Sequence, residues 1–265
     1  MSIDSAGPES VISEIKDGIA TVTVNRPQAY NALDEEAVYA IGRHLDEILL
    51  DTRVRVILLR GEGPAFGTGA DLNWLHPQDG GAPGRVDRTL RVLNPLMQRL
   101  RAAPAIVVAS VHGIVAGGSL GLMNMADLVI AASNTRFSLA YARIGVTPDV
   151  GASFLLPRLL GERRALELML LAEPFDAARA QSLGLVNFVV PPERLPEETR
   201  ALVQRLRAGA AHALARTKAL AYAAADCELG TQLEAERREL MAAAAGPDLQ
   251  EGVAAFSAKR AARFA

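Results

Sequence analysis

The residues best placed to do chemistry lie at 111–121, VHGIVAGGSLG. Gly117, Gly118 and Gly121 permit positive φ and leave no Cβ between the main chain and whatever rests on the turn. A helix is predicted to start there, over 119–126, and the N–H groups at its start, unpartnered within the helix, suit a negative charge. Three chemistries fit this spacing. Ala116, Gly118 and Gly121 come near a dinucleotide-binding fingerprint, yet 137–143 offers no carboxylate, which that motif expects about 20 residues on. Gly117-Gly118-Ser119-Leu120-Gly121 matches a nucleophile elbow, with acids and His212 downstream in the order of a hydrolase triad. Against it, the preceding strand is predicted to end at Val111, early for a sharp elbow, and His212 sits in an Ala-rich helical pattern. The third is an oxyanion hole, in which the Gly118 N–H binds charge developing on a carbonyl oxygen. Close packing of helix on strand through small residues would use the same glycines.

The elements around the turn read as α/β. Residues 105–111, AIVVASV, are apolar without alternation, as in a strand covered on both faces. Residues 11–16 and 19–25 flank Asp17-Gly18 and predict a β-hairpin. Asp34 is placed to cap a helix whose face carries Val38, Ile41, Leu45, Ile48 and Leu49. A strand is predicted at 54–59, then a loop to Asp71, and a mobile surface loop at 76–84 from its Gly and Pro content. Residues 85–101 form a helical pattern that Pro95 should break or kink; its arginines at 85, 88, 91, 99 and 101 suit a solvated face or a phosphate site. Further predictions are a strand at 128–132, helices at 161–171 and 176–183, and a strand at 185–190. After Pro191-Pro192 the pattern is helical only, with helix-start spacing at Thr231-x-x-Glu234 and Asp248-x-x-Glu251. The expected division is therefore a core over 1–192 and a helical region over 193–265.

With 265 residues and 50% hydrophobic content the chain can bury a large core, and a net charge of −2 gives no general attraction to nucleic acid or to an anionic membrane. A single cysteine, Cys227, forms no intrachain disulfide, and the four histidines lack metal-ligand spacing. The first residues carry no basic start or apolar stretch, and no apolar run approaches a membrane span. A cytoplasmic protein is expected.

Several motifs, in order along nearly the whole chain, resemble those of the crotonase family, the enoyl-CoA hydratase/isomerase superfamily. Asn25-Arg26-Pro27 with Asn31-Ala32-Leu33 resembles its N-R-P…N-A-L segment, and the stretch from Ala65 to Leu72 its F-x-x-G-x-D-L loop. Gly113 to Gly121 resembles its glycine turn, and Ala180 with Gly184-Leu185-Val186 a further marker. The resemblance implies a crotonase-like spiral of ββα turns with a C-terminal helical region that packs in a trimer or a dimer of trimers. It implies an acyl-CoA thioester substrate, with CoA as part of the substrate and no separate cofactor or metal. The thioester oxygen would be held by the N–H groups of Ala70 and Gly118. CoA would lie along Gln28, Tyr30 and Ala32 and along Gly69, Ala70, Asp71 and Leu72, with Gly118 and Tyr141 at the acyl end. Phe256 and Lys259 match positions that reach the nucleotide, often that of a neighbouring subunit; a solvated lysine at a helix end reads equally well for Lys259.

The departures from the family pattern bear on the reaction. The positions matching the two glutamates of its hydratases are here Gly121 and Tyr141, neither of which transfers protons as a carboxylate does. Asp149, in Pro148-Asp149-Val150-Gly151, resembles the lone aspartate of the family's double-bond isomerases, although a turn residue after proline reads the same way. Asn94-Pro95-Leu96, Pro148-Asp149, Thr231-Gln232-Leu233-Glu234 and the residues from Glu251 to Arg260 resemble those of the family's ring 1,2-epoxyphenylacetyl-CoA isomerase and enoyl-CoA isomerase branch, which implies fatty acid metabolism or phenylacetate catabolism. An isomerase using Ala70, Gly118 and Asp149 is therefore expected. The alternatives are a hydratase, an aryl-CoA dehalogenase, for which Tyr141 stands where a tryptophan is found, a Ser119 thioester hydrolase, and a non-catalytic acyl-CoA binder.

Overall fold

A computed structural model describes residues 9–76 and 81–264. The chain opens with the expected hairpin, β1 (Val11–Lys16) and β2 (Ile19–Val24), joined by Asp17-Gly18 with both residues at positive φ, as a two-residue type I′ turn requires. α1 (Glu35–Leu50) follows, with the Asp34 carboxylate accepting the Ala37 N–H at 2.9 Å. Next come β3 (Val56–Gly61), the one-turn α2 (Leu72–Leu75), α3 (Ala82–Ala102) and β4 (Ile106–Val111). The chain continues through β5 (Ile114–Ala116), α4 (Gly117–Asn124), β6 (Leu128–Ala132), β7 (Arg136–Ser138), α5 (Ala152–Leu160) and α6 (Glu162–Leu171). β8 (Phe175–Asp176), α7 (Ala177–Ser182) and β9 (Phe188–Val190) precede the helices α8 (Leu195–Arg207), α9 (Ala211–Ala223), α10 (Leu229–Ala244) and α11 (Pro247–Ser257).

The larger sheet has the order β1-β2-β3-β4-β6-β9, and the smaller one β5-β7-β8. β1 is antiparallel to β2, whereas every later pair in the larger sheet is parallel. β4 then β5, and β6 then β7, each place one strand in the larger sheet and the next in the smaller before a helix, which makes the ββα turns of the spiral; β8 returns antiparallel to β7 in the smaller sheet, and β9 closes the larger one. Both faces of the larger sheet are covered, which explains the unbroken apolar run at 105–111. Ile57, Leu59, Val107, Ala109, Val129 and Ala131 face the main core. The intervening Val56, Leu58, Val108 and Ile130 face Leu195, Leu202 and Val203 of α8, because successive strand residues point to opposite faces.

Several elements differ from the sequence reading. The strand expected at 54–59 runs two residues later, and the one at 185–190 is reduced to β9. The loop expected over 76–84 is already helical from Ala82, and its residues 77–80 lie outside the described ones. α3 also continues through Pro95 rather than ending there. An interior proline costs about 3 kcal/mol, but Leu93, Leu96, Met97 and Leu100 are buried on this helix, each worth about 1.5–3 kcal/mol. Packing decides. In the tail, Thr231 lies inside α10, which starts after Glu228, and Asp248 lies inside α11, which starts after Gly246.

α9 is tied to the sheet by a buried cluster. Lys218 Nζ donates to the Ala105 carbonyl and pairs with Asp127 Oδ2, each at 2.9 Å. The Asp127 carboxylate also accepts the Val107 N–H at 2.7 Å and the Tyr222 hydroxyl, and Arg101 lies 3.7 Å over the Tyr222 ring. Burial pulls the Lys218 ammonium below its ordinary pKa, against the opposing pull of Asp127. Among the described residues no helix is long and apolar enough to cross a membrane.

Candidate active site

The glycine turn is built from two segments laid side by side. The Gly67 N–H donates to the Ile114 carbonyl at 3.1 Å, and the Ala116 N–H to the Gly67 carbonyl at 2.9 Å. On the other side, the Leu33 N–H donates to the Gly69 carbonyl at 2.7 Å, and the Asp71 N–H to the Leu33 carbonyl at 2.9 Å. Gly69 has φ +85°, and a Cβ there would stand 3.0 Å from the Gly118 nitrogen. Only glycine permits both that conformation and that approach, which brings Ala70 alongside the start of α4. The Gly118 N–H, in the first turn of α4, has no acceptor within the helix, and among the described residues nothing accepts the N–H of Ala70.

A strand-to-helix turn does exist here, because β5, which the sequence reading lacked, runs directly into α4. It does not make a hydrolase elbow. Ser119 is buried and its hydroxyl oxygen accepts the Gly69 N–H at 3.1 Å. His212 instead lines a cavity of about 690 Å³ whose walls also include Arg101, Ala105, Ile106 and Lys218. That cavity is at the opposite end of β4 from the turn.

Asp149 stands against the start of α4. A Cβ placed on Gly118 would be 3.6 Å from Asp149 Oδ1 and 4.0 Å from Oδ2, with the Val150 Cγ2 also at 3.6 Å. The Tyr141 hydroxyl donates to Asp149 Oδ1 at 2.7 Å, and Tyr141 is buried. Burial raises the Asp149 carboxyl above its ordinary pKa, and the Tyr141 hydrogen bond partly offsets this. Burial, the Asp149 charge and the shared hydrogen bond all hold the Tyr141 proton on its phenol. The backbone that presents Asp149 is unusual: Val150 has φ +46° and Gly151 φ +73° just before α5. A β-branched residue in the left-handed region is strained, by about 1–3 kcal/mol. Val150 also fills the space beside Gly121, where an added Cβ would stand 2.7 Å from the Val150 Cβ and 2.9 Å from its carbonyl oxygen.

Comparison with known proteins places the chain in a family. The model of the family described as enoyl-CoA hydratase/isomerase matches residues 14–265. The chain belongs to the enoyl-CoA hydratase/isomerase family. It is 34% identical to the 1,2-epoxyphenylacetyl-CoA isomerase of Escherichia coli (strain K12), over 97% of this chain and 98% of that protein. It is 36% identical to a probable enoyl-CoA hydratase of Rhodobacter capsulatus, over 95% and 96%. The solved structure of a putative enoyl-CoA hydratase/isomerase from Mycobacterium abscessus matches with a TM-score of 0.90 at 31% identity, over 96% of this chain and 99% of that one. An acyl-CoA enzyme of the enoyl-CoA hydratase/isomerase family is thus established, while its relatives are named for both reactions.

The remaining residues expected from the sequence to bind CoA are less uniform in placement. Gln28 lies on the short 3-10 turn Pro27–Ala29, and Tyr30 follows at φ +51° with its side chain exposed. The buried Ala32 offers its carbonyl to the Arg26 guanidinium, which also pairs with Asp34 at 2.6 Å and Asp71 at 3.4 Å. This Arg26 clip, and the buried Asn31 whose amide donates to the carbonyls of Glu62 and Ala65, were not inferred from sequence, although both stand in the N-R-P…N-A-L segment. Leu72 is exposed at the start of α2. Phe256, 87% exposed, and Lys259 belong to α11 and the turn after it, a helix that packs on α10. Of the arginines of α3, Arg88 pairs with Glu35 and Arg91 with Asp87 at 2.8 Å each, and Arg99 with Asp46. These pairings fit a solvated face.

Proposed function

We propose that this enzyme is a double-bond or ring-epoxide isomerase of acyl-CoA thioesters that uses Asp149 as its one acid–base group. The observation that carries the reading is the Asp149 carboxylate held against Gly118 at the start of α4, while Gly121 has no room for a longer side chain and Tyr141 is committed to Asp149. A hydratase of this family needs two carboxylates, and these two positions supply none.

In this mechanism the N–H groups of Ala70 and Gly118 receive the thioester oxygen. Negative charge accumulates there as a C–H proton leaves, and one such donor is worth about 3–4 kcal/mol of barrier. Asp149, ionised, takes the proton from C2 of a 3-enoyl thioester; the electron pair moves through the conjugated system toward the oxygen. The same carboxyl returns the proton to C4, so the double bond ends between C2 and C3 and Asp149 is ionised again. Burial favours this role, because a carboxylate poorly solvated is a stronger base than one in water. No group beyond the protein and its acyl-CoA is called for.

We also infer a trimer or hexamer. Leu229, Leu233 and Leu240 of α10 and Leu249, Val253 and Phe256 of α11 are exposed in the single chain, and such apolar helix faces suit contact with a further copy. Phe256 and Lys259 would then reach the nucleotide end of a neighbour's CoA.

The test is the conversion of trans-3-hexenoyl-CoA in deuterated water. A proton carried by Asp149 in a partly closed site gives the 2-enoyl isomer with partial deuterium uptake and no build-up of 3-hydroxyacyl product, and Asp149→Asn lowers the rate about 10²–10⁴-fold. Rapid hydration of 2-hexenoyl-CoA by the wild type, or an Asp149→Asn variant of wild-type rate, overturns the assignment.

A further inference from the structure

We propose that Tyr141 is a positioning residue: its hydroxyl holds Asp149 by Oδ1 alone and so reserves Oδ2 as the atom that takes and returns the proton. This deepens the isomerase reading and rests on it.

The geometry supports a one-sided hold. Tyr141 has one O–H, and it donates to Oδ1 at 2.7 Å; the main-chain N–H of Asp149 also acts on its own carboxylate, and among the described residues no donor from another residue reaches Oδ2. The ring is 6% exposed, so the hydroxyl is not free to turn toward water. The segment between the two residues is closed on itself. The Val146 N–H donates to the Tyr141 carbonyl at 3.1 Å, around a 3-10 turn at Ala142–Ile144 that ends with Gly145 at φ +74°. On the far side of Asp149, Val150 is fixed in its left-handed conformation between Gly118 and Gly121. The carboxylate is thus held from both neighbours in sequence, and its plane is set by the Tyr141 bond.

The chemistry of the donor matters as much as its position. A lysine or arginine at this place would form an ion pair, stabilise the carboxylate strongly and weaken it as a base. Among the described residues no cation pairs with Asp149. A neutral phenol makes a single hydrogen bond that survives protonation of the other oxygen, so the contact persists on both sides of the proton transfer. Burial and the Asp149 charge keep the phenol proton in place, and Tyr141 therefore donates throughout the cycle. It also limits how far burial drives the carboxyl toward its neutral form.

The experiment compares the full-length wild type with Tyr141→Phe, with 3-fluorotyrosine inserted at position 141, and with Asp149→Asn. Two readouts are taken: the pH profile of kcat/KM for trans-3-hexenoyl-CoA, and an infrared titration of the Asp149 carboxyl without substrate, identified by its loss in Asp149→Asn. Tyr141→Phe removes a hydrogen bond to a charged group, so on the acid side kcat/KM falls about 10- to 100-fold. The deficit closes as pH rises, and KM changes little. The infrared titration moves to higher pH in the same variant and to lower pH with 3-fluorotyrosine, a stronger donor of nearly the same shape. The fluorinated variant carries the test if the phenylalanine one misfolds. A loss equal at every pH, or an infrared titration that stays put in both variants, overturns the proposal. Failure of the isomerase reading looks different: Asp149→Asn then keeps the wild-type rate, whatever Tyr141 does to the infrared titration.

Discussion

Asp149 Oδ1 lies 3.6 Å from the point where a side chain on Gly118 would begin. Oδ2 lies 4.0 Å from the same point, so a side chain on Gly118 would begin in contact with the proposed base, and the substrate's reacting carbon is expected to occupy that space. Gly118→Ala tests this directly. Its methyl would meet Asp149 and Val150 at ordinary van der Waals distance, and alanine favours a helix start over glycine, so the melting temperature should hold. Turnover should fall at least about 100-fold, the usual consequence of displacing a reacting group by about an ångström. Full activity in a folded Gly118→Ala would place the reaction elsewhere.

Gly121→Glu asks whether a hydratase carboxylate can be restored. The new Cβ would meet the Val150 Cβ and carbonyl within 3 Å, and overpacking of this kind costs about 1–3 kcal/mol or more. The expected variant is less stable, isomerises poorly because the turn bearing Asp149 is pushed aside, and does not hydrate crotonyl-CoA. Wild-type stability with new hydratase activity is the contrary result.

Ser119→Ala separates packing from nucleophilic chemistry. The hydroxyl accepts the buried Gly69 N–H, and orphaning a buried donor costs about 1–3 kcal/mol. A lower melting temperature with kcat within about tenfold of wild type is expected. A loss of turnover beyond 1000-fold in the folded variant would support a serine hydrolase instead.

Asp149 should also destabilise the fold at neutral pH. Burial raises its carboxyl in the native state above the ordinary value it has when unfolded. The native state then holds the proton to higher pH, so stability falls as pH rises through the interval between the two. Below that interval wild type and Asp149→Asn should melt together. Above it the variant, whose amide oxygen still accepts from Tyr141, should melt higher, by about 2–4 °C for each kcal/mol relieved. Calorimetry across pH checks the sign.

Local chemistry was the legible part of this chain. The Asp17-Gly18 turn and the Asp34 cap depend on neighbouring residues and lie where the sequence puts them, whereas the helix expected over 119–126 is α4 at Gly117–Asn124, entered from β5 through contacts with the distant Gly67. Pro95 does not break α3 because its local penalty is outweighed by side chains buried where the helix packs on α1, a contact that periodicity along one helix does not reveal. Lys218 and Asp127 meet across 91 positions, and neither residue type announces its partner. At the candidate site, Asp149 is singled out by resemblance, whereas its bond to Tyr141 depends on the turn at 142–145, and its fixed backbone on Val150 adopting a conformation its side chain disfavours. Gly121 was read as a missing glutamate; that Val150 occupies the vacated space appears only in three dimensions.

The fit of Gly121 to Val150 separates two chemistries by more than one mutational step. Enlarging residue 121 alone drives a side chain into Val150, and trimming Val150 alone opens a hole beside the helix. A lineage moving from one carboxylate to two would have to change both residues, and then Tyr141, and either change at 121 or 150 made alone is expected to lower stability. Random libraries scanned one position at a time should therefore find this enzyme locked into its present reaction, whereas a library that varies 121, 141 and 150 together is where a crossing would be found.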